Sequence, residues 1–239
     1  MAQLPPLKST QLPLGIRWND AASLESFHPG ANAQALAAVQ RLLAGEEQCV
    51  YLHGGSGTGK SHLLQAASRA LGDRGRPVAY LPMGQGLPLS PEVLDGMESL
   101  ALVALDDLDV IAGEPAWEEP VFHAFNRLRD GGVSILISAG DRPEAAGFRL
   151  PDLVSRLQWG LLERLRPMDD DDKLAALRHR AGLRGLDLSP EVGRYLMRRQ
   201  PRDTASLFQL LETLDQAALA EQRRLTVPFV REILADGQA

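Results

Sequence analysis

Two hydrophobic patterns alternate along the first two-thirds of the chain. Short, largely apolar runs stand at "CVYLH" (49–53), "VAYLP" (78–82), "LALVALDD" (100–107), "VSILISA" (133–139) and "LLERLRP" (161–167). Runs that are apolar throughout, rather than at every second position, predict strands buried on both faces, as in a parallel sheet covered by helices. Between them the period lengthens. "ANAQALAAVQRLLAGEE" sets Leu36, Val39, Leu42 and Leu43 at helical spacing, with Gly45 as a stop. "KSHLLQAASRALGDRG" predicts a helix ending at Gly72 or Gly75, residues 117–129 predict another, and "LPDLVSRLQ" a short one. "SPEVLDGM" also predicts a helix, with Ser90 as N-cap and Pro91 in the first helical position.

After Pro167 the strands stop. Four helices are expected, over roughly 171–183, 189–199, 203–220 and 226–234, with start signals at Ser189-Pro190-Glu191 and Thr226-Val227-Pro228. The acids of "MDDDDK" open the first of these. Negative charge there offsets the helix dipole, which explains the run better than a metal cluster or a protease site. The fold class is therefore α/β, a parallel sheet covered by helices, followed by a small all-helical domain. The boundaries fall at 1–19 for a Pro-containing tail, 20–166 for the α/β domain and 167–239 for the helical one.

A length of 239 residues suits one large domain or two modest ones, and 44% hydrophobic residues supply a core. The net charge of -6 gives no support to a large non-specific DNA-binding surface. The Arg-dense stretches "RHRAGLR" and "RRQPR" read as solvated surface for the same reason. A single cysteine, Cys49, excludes a disulfide framework and a thiolate metal site, and lies in an apolar run as a buried core residue would. The five histidines show no ligand spacing. Neither a long apolar span nor a leader-like N-terminus is found, so the expectation is a soluble, cytoplasmic protein without a membrane partner.

The chemistry concentrates at "GGSGTGKS", which fits G-x-x-x-x-G-K-[ST] between a strand and a helix. Gly54, Gly55, Ser56, Gly57, Thr58 and Gly59 would wrap backbone N–H groups around phosphate oxygens. Lys60 would reach the β- and γ-phosphates, and Ser61 would offer its hydroxyl to Mg²⁺. The helix that follows, with His62 in its first turn, points its positive end at the anion. Asp106 and Asp107 end an apolar strand about 45 residues later, where a phosphate-loop protein needs a carboxylate for the magnesium shell. Asp106 takes that role, and Asp107 is placed to orient or activate a water. Ser138 and Asp141 stand at the next strand tip as candidates to sense a γ-phosphate, against the plain reading of Asp141-Arg142-Pro143 as a turn. Arg156, on the short helix, is by chemistry alone a surface charge.

Taken together, "GGSGTGKSHLLQA", "LVALDD", "ISAGDRP" and "LPDLVSRLQWGL" resemble the AAA+ module of the bacterial replication initiator DnaA. With "PEVLDGM" and "LTVPFVREIL" added, the chain is similar to the DnaA/Hda family over about residues 20–235. The resemblance implies an AAA+ fold with a helical lid, bound ADP (or ATP) with Mg²⁺, and weak or no ATPase of its own. It implies Asp141 as the sensor-1 residue, and Arg156 as an arginine finger acting on nucleotide held by DnaA. The initiator's DNA-binding domain is expected to be missing after the lid. The sensor-2 arginine departs from the pattern: Ala205 stands there, with Arg202 three residues earlier.

The tail also gains a meaning from that resemblance. "TQLPLGIRW" contains Gln11, Leu12, Leu14 and Ile16 in the form Q-L-x-L-x-[hydrophobic], like peptides that bind the bacterial sliding clamp. In such an extended peptide the glutamine fixes register and the apolar side chains fill a pocket. The expected partners are thus DnaA and the DNA polymerase III β clamp, with DNA reached only through the clamp, the nucleoid or replisome as the place of action, and a homodimer left open. The competing readings are a stand-alone AAA+ ATPase of the helicase-loader type and an interaction module with a vestigial phosphate loop.

Overall fold

The computed structural model describes residues 22–85, 89–199 and 204–236. Gln11, Leu12, Leu14, Ile16 and Arg202 lie outside them. In chain order the elements are α1 (Ala33–Ala44), β1 (Cys49–His53), α2 (Lys60–Gly72), β2 (Val78–Pro82), β3 (Leu102–Asp106), α3 (Pro115–Asp130), β4 (Ser134–Ala139), α4 (Pro151–Leu157) and β5 (Leu161–Arg164). Then come α5 (Asp170–Leu183), α6 (Pro190–Arg199), α7 (Thr204–Glu221) and α8 (Val227–Asp236).

The five strands form one parallel sheet in the order β2-β3-β4-β1-β5. The apolar runs follow from this, because both faces are covered. One face carries Cys49, Tyr51, Val103, Leu105, Ile135 and Ile137 against Val121, Phe125 and Leu128 of α3 and Leu153 and Leu157 of α4. The opposite face carries Val50, Leu52, Leu102, Ala104 and Leu136 against Val39 and Leu42 of α1 and Leu63, Leu64 and Leu71 of α2. All strands run the same way, so the carboxyl ends of β1, β3 and β4 share one edge, where ligands bind in open α/β sheets.

Helix ends follow their capping signals. Gly45 closes α1 in the left-handed region (φ 79°). The Asp169 carboxylate caps α5 by accepting from the Asp172 N–H (2.8 Å), and the Ser189 hydroxyl accepts from Val192 N–H (3.3 Å). The stretch at Ser90 departs from the sequence reading. Pro91–Leu94 makes only a 3-10 turn, and Ser90 forms no side-chain cap. Asp95 turns extended (ψ 141°) and Gly96 left-handed (φ 74°), so the segment ends after that single 3-10 turn.

The four C-terminal helices have a core of their own, built from Leu177, Leu196, Leu211, Leu214, Phe229 and Val230. The Asn32 side chain holds the backbone of Arg166, the last residue of the sheet domain before the bundle. Asn32 Nδ2 donates to the Arg166 carbonyl (3.0 Å), and Arg166 N–H donates to Asn32 Oδ1 (2.7 Å). Among the described residues no helix is long and apolar enough to cross a membrane.

Candidate functional site

The loop between β1 and α2 is built by residues that tolerate its backbone. Gly54 (φ 152°) packs so closely on the Leu165 carbonyl that a Cβ would run into it, and Gly59 (φ 101°) leaves room for the Phe27 ring. Thr58 Oγ1 donates to the Gly55 carbonyl (2.9 Å) and holds the loop closed. Lys60 is buried, and its ammonium donates to the carbonyls of Gly54 (2.7 Å) and Gly55 (3.2 Å). A cation parked inside a ring of loop atoms at a helix N-terminus is a ready anion site.

This loop opens on a cavity of about 1160 Å³ between the sheet domain and the helical bundle. Gly57, Gly59, Lys60, Ser61 and His62 line it, while Gly54, Gly55, Ser56 and Thr58 complete the loop without lining it. A segment from Ser23 to His28 forms one wall, and Arg180, Arg184, Phe208 and Glu212 of the bundle form another. The sequence reading missed both walls. Ser23 to His28 carries no motif, and Arg180 sits inside an unremarkable helix. His62 joins the loop to the Ser23 segment by donating from Nε2 to the Ser23 carbonyl (2.9 Å), which fixes the tautomer because a carbonyl only accepts. Burial, with the nearby Arg180 cation adding to it, pushes the His62 pKa down to about 4 against that hydrogen bond, so the ring is neutral at pH 7. On the bundle side the Arg180 guanidinium lies 4.5 Å from the centre of the Phe208 ring. Arg184 bridges Glu212 (3.1 Å) and Asp215 (3.4 Å), tying α5 to α7.

The acid pair stands at the end of β3. Asp106 is buried, with Oδ2 accepting from the Tyr80 hydroxyl (2.7 Å) and Oδ1 from the Ser138 hydroxyl (2.5 Å). Each oxygen keeps a lone pair for a metal-bound water. Asp107 adopts a left-handed backbone (φ 54°, ψ 51°), and its N–H donates to Ser138 Oγ (2.8 Å). Such strain in a non-glycine residue gathers at functional sites. Burial raises the Asp107 pKa, the Asp106 charge adds to the rise, and Lys60 opposes it. Among the described residues no cluster of three His, Cys, Asp or Glu side chains is arranged to hold a metal ion. Ser61 and Asp106 are the oxygen donors this site could offer to a metal ion.

The two β4 candidates separate. Ser138 is fully buried at the acid pair. The Asp141 side chain is exposed beyond the strand, while its backbone carbonyl accepts from the Tyr51 hydroxyl (3.0 Å); none of Asp106, Asp107, Ser138 and Asp141 lines the cavity itself. The strand places Ser138 at the carboxylate because β4 lies beside β3 in register. Asp141 comes after β4 ends. Arg156 stands apart from the cavity. It is half-buried on α4, its Nε donates to Asn126 Oδ1 of α3 (2.8 Å), and its guanidinium lies 5.9 Å from the centre of the Phe122 ring. Of the sensor-2 position only the helical backbone of Ala205, in α7, is described.

Comparison with known proteins places this architecture. Residues 170–234 match the family model described as the Hda lid domain. Domain III of the Thermotoga maritima replication initiation protein DnaA superposes over 92% of this chain and 98% of its own length, with a TM-score of 0.71 and 23% identity. The lid segment is thus Hda-like, and the chain as a whole has the AAA+ fold of DnaA domain III. AMPPCP-bound DnaA from Aquifex aeolicus aligns with 82% of this chain and 66% of its own at 25% identity, TM-score 0.68. The AAA+ fold extends further: Thermotoga maritima RuvB aligns with 90% of this chain and 71% of its own, TM-score 0.63, at 15% identity. The five-stranded parallel sheet and helical lid are thus those of the AAA+ class.

Proposed function

We propose that the chain is a nucleotide-bound regulator of the replication initiator. In this reading its tail holds it on the DNA-loaded β clamp through Gln11, Leu12, Leu14 and Ile16. From there it offers Arg156 to ATP bound by DnaA and speeds hydrolysis, which prevents re-initiation of replication. The observation that carries the reading is the separation of Arg156 from the chain's own cavity. A guanidinium braced on Asn126 and Phe122 outside that cavity is available to a nucleotide held by another molecule. Such a finger stabilises transition-state charge and is worth roughly 10³–10⁵ in rate. Tethering on the same DNA would raise its effective concentration near DnaA.

The chain's own ligand in this reading is ADP or ATP with Mg²⁺, as AMPPCP is the ligand of the Aquifex protein. The loop N–H groups and Lys60 take the phosphates, Ser61 and Asp106 share the magnesium, and Ser138 rather than Asp141 reads the acid pair. Bound magnesium would neutralise charge on the phosphate oxygens. A stand-alone ATPase of the helicase-loader type is the second reading, and the placement of Asp107 beside Asp106 at the end of β3, with a left-handed backbone, favours it.

The test is DnaA ATP hydrolysis in the presence of clamp and DNA. Arg156→Ala is expected to keep clamp binding in a pull-down and to lose stimulation, whereas Gln11→Ala loses both. Normal stimulation by Arg156→Ala would overturn the finger. Rapid ATP turnover by the purified chain, together with helicase binding, would favour the loader.

A further inference from the structure

Glu118 is a carboxylate buried to 2% exposure in the first turn of α3, and neither the loop nor the acid pair uses it. Oε1 accepts from the N–H groups of Gly113 (2.6 Å) and Arg149 (3.0 Å), and Oε2 from those of Arg149 (3.0 Å) and Leu150 (2.6 Å). Burial works to raise its pKa, but the bonds from Arg149, Gly113 and Leu150 outweigh it and leave it lowered. The group is therefore a satisfied anion, locked to three backbone donors.

The donors stand at two informative places. Gly113 closes the segment that leaves the acid pair through the 3-10 turn Leu108–Ile111. Arg149 and Leu150 lead into α4, and Leu150 is its N-capping residue. A second bond, from Gly140 N–H to Asp109 Oδ2 (3.0 Å), ties the end of β4 to the same 3-10 turn. Along α3, Glu118, Phe122 and Asn126 follow at i, i+4 and i+8, so they share one face. Glu118 grips the start of α4, while Phe122 and Asn126 meet Arg156 in its last turn.

We propose that Glu118 is a positioning residue for Arg156: it clasps the entrance of α4 and so fixes where the guanidinium stands when a partner's nucleotide arrives. This rests on the finger reading of Arg156 given above. A misplacement of about 1 Å costs roughly 10²-fold in rate without removing a contact surface. Loss of the clasp should therefore act on the maximal rate rather than on association.

Glu118→Gln keeps the shape, but its amide turns two donors toward N–H groups. The expected result is a roughly 10- to 100-fold fall in the maximal rate of stimulated DnaA ATP hydrolysis, with the half-stimulating concentration unchanged. Trp159 gives a second readout that needs no partner, because its backbone N–H donates to the Arg156 carbonyl (3.1 Å) and its ring meets Phe125 edge-on. In a chain carrying Trp18→Phe and Trp117→Phe, Glu118→Gln should increase acrylamide quenching of Trp159. Binding of a fluorescent ADP analogue checks that the variant is folded. Should it not fold, Glu118→Asp, which keeps the charge but shortens the reach, is expected to show a partial loss of maximal rate. A full maximal rate in the folded variant, or unchanged Trp159 quenching, overturns the proposal. Arg156→Ala run alongside keeps the two ideas apart. Normal stimulation by Arg156→Ala defeats the finger itself, whereas its loss beside full stimulation by Glu118→Gln defeats only the clasp.

Discussion

His62 sits where three parts of the molecule meet: the phosphate loop, the Ser23 segment and the Arg180 side of the bundle. Its neutrality has a consequence for stability. In the folded chain the ring resists protonation down to about pH 4, whereas the unfolded chain protonates it near pH 6.5. Between those values the unfolded state binds the extra proton. The stabilisation is therefore complete above pH 6.5 and is lost as pH falls toward 4, by about 2 kcal/mol at pH 5. His62→Gln keeps a donor for the Ser23 carbonyl but cannot titrate, so its urea midpoint should fall less between pH 7 and 5 than that of the unaltered chain. Parallel curves for the two would exclude His62 as the source. Ser138 supplies a second residue-level expectation. Its hydroxyl serves both Asp106 Oδ1 and the Asp107 N–H, so Ser138→Ala leaves two polar groups short and should cost about 1–3 kcal/mol in urea unfolding. Asp141→Ala, on an exposed side chain, should stay within about 0.5 kcal/mol. Equal losses would mean that the Asp141 side chain makes contacts as costly to lose as those of Ser138.

Among the elements, α5 shows how local charge and tertiary packing divide the work. Asp169 caps it, and Asp170, Asp171 and Asp172 stand in its first turn, facing the positive end of the dipole. Asp169→Ala should cost about 1 kcal/mol in thermal or urea unfolding, and no change would mean that the acidic run already satisfies the helix end. The same acids were legible in the sequence because capping is local. The strands were legible too, since burial on both faces leaves continuous apolar runs such as "VSILISA". What failed to show was non-local. The Ser90 segment carries good start signals, yet Gly96 and the neighbouring turn limit it to a 3-10 piece. Ser138 and Asp141 could not be ranked until β3 and β4 were paired in register. Glu118 looks like any acid in a helix's first turn, because its donors at Arg149 and Leu150 lie 31 and 32 residues away.

At the scale of the whole molecule, a large cavity lies between the sheet domain and the helical bundle. The sheet domain packs its own two faces, and the helical bundle packs around Leu177, Leu211 and Phe229. Across the joint, His179 donates to the Glu25 carbonyl (2.7 Å) and His28 approaches Asp172 (3.8 Å). These few polar ties are weak beside either core. A cut in the bundle core should therefore unfold the bundle before the sheet. Leu211→Ala, at a fully buried position, is expected to remove about 2–5 kcal/mol from the bundle. Its unfolding curve should then split into two steps, a first one reported by loss of helical signal and a second by the sheet. A nucleotide filling the cavity would touch both parts and so would stabilise both. At a concentration near 100 times its dissociation constant it adds about 2.7 kcal/mol to any state that holds the site together. Magnesium-ADP should thus merge the two steps of Leu211→Ala into one. The same addition should do nothing to a Lys60→Ala, Leu211→Ala double variant, whose phosphate loop lacks its cation. Two steps that persist in saturating Mg-ADP would mean that the bundle contributes nothing to nucleotide binding, and that the cavity is closed by the sheet domain alone.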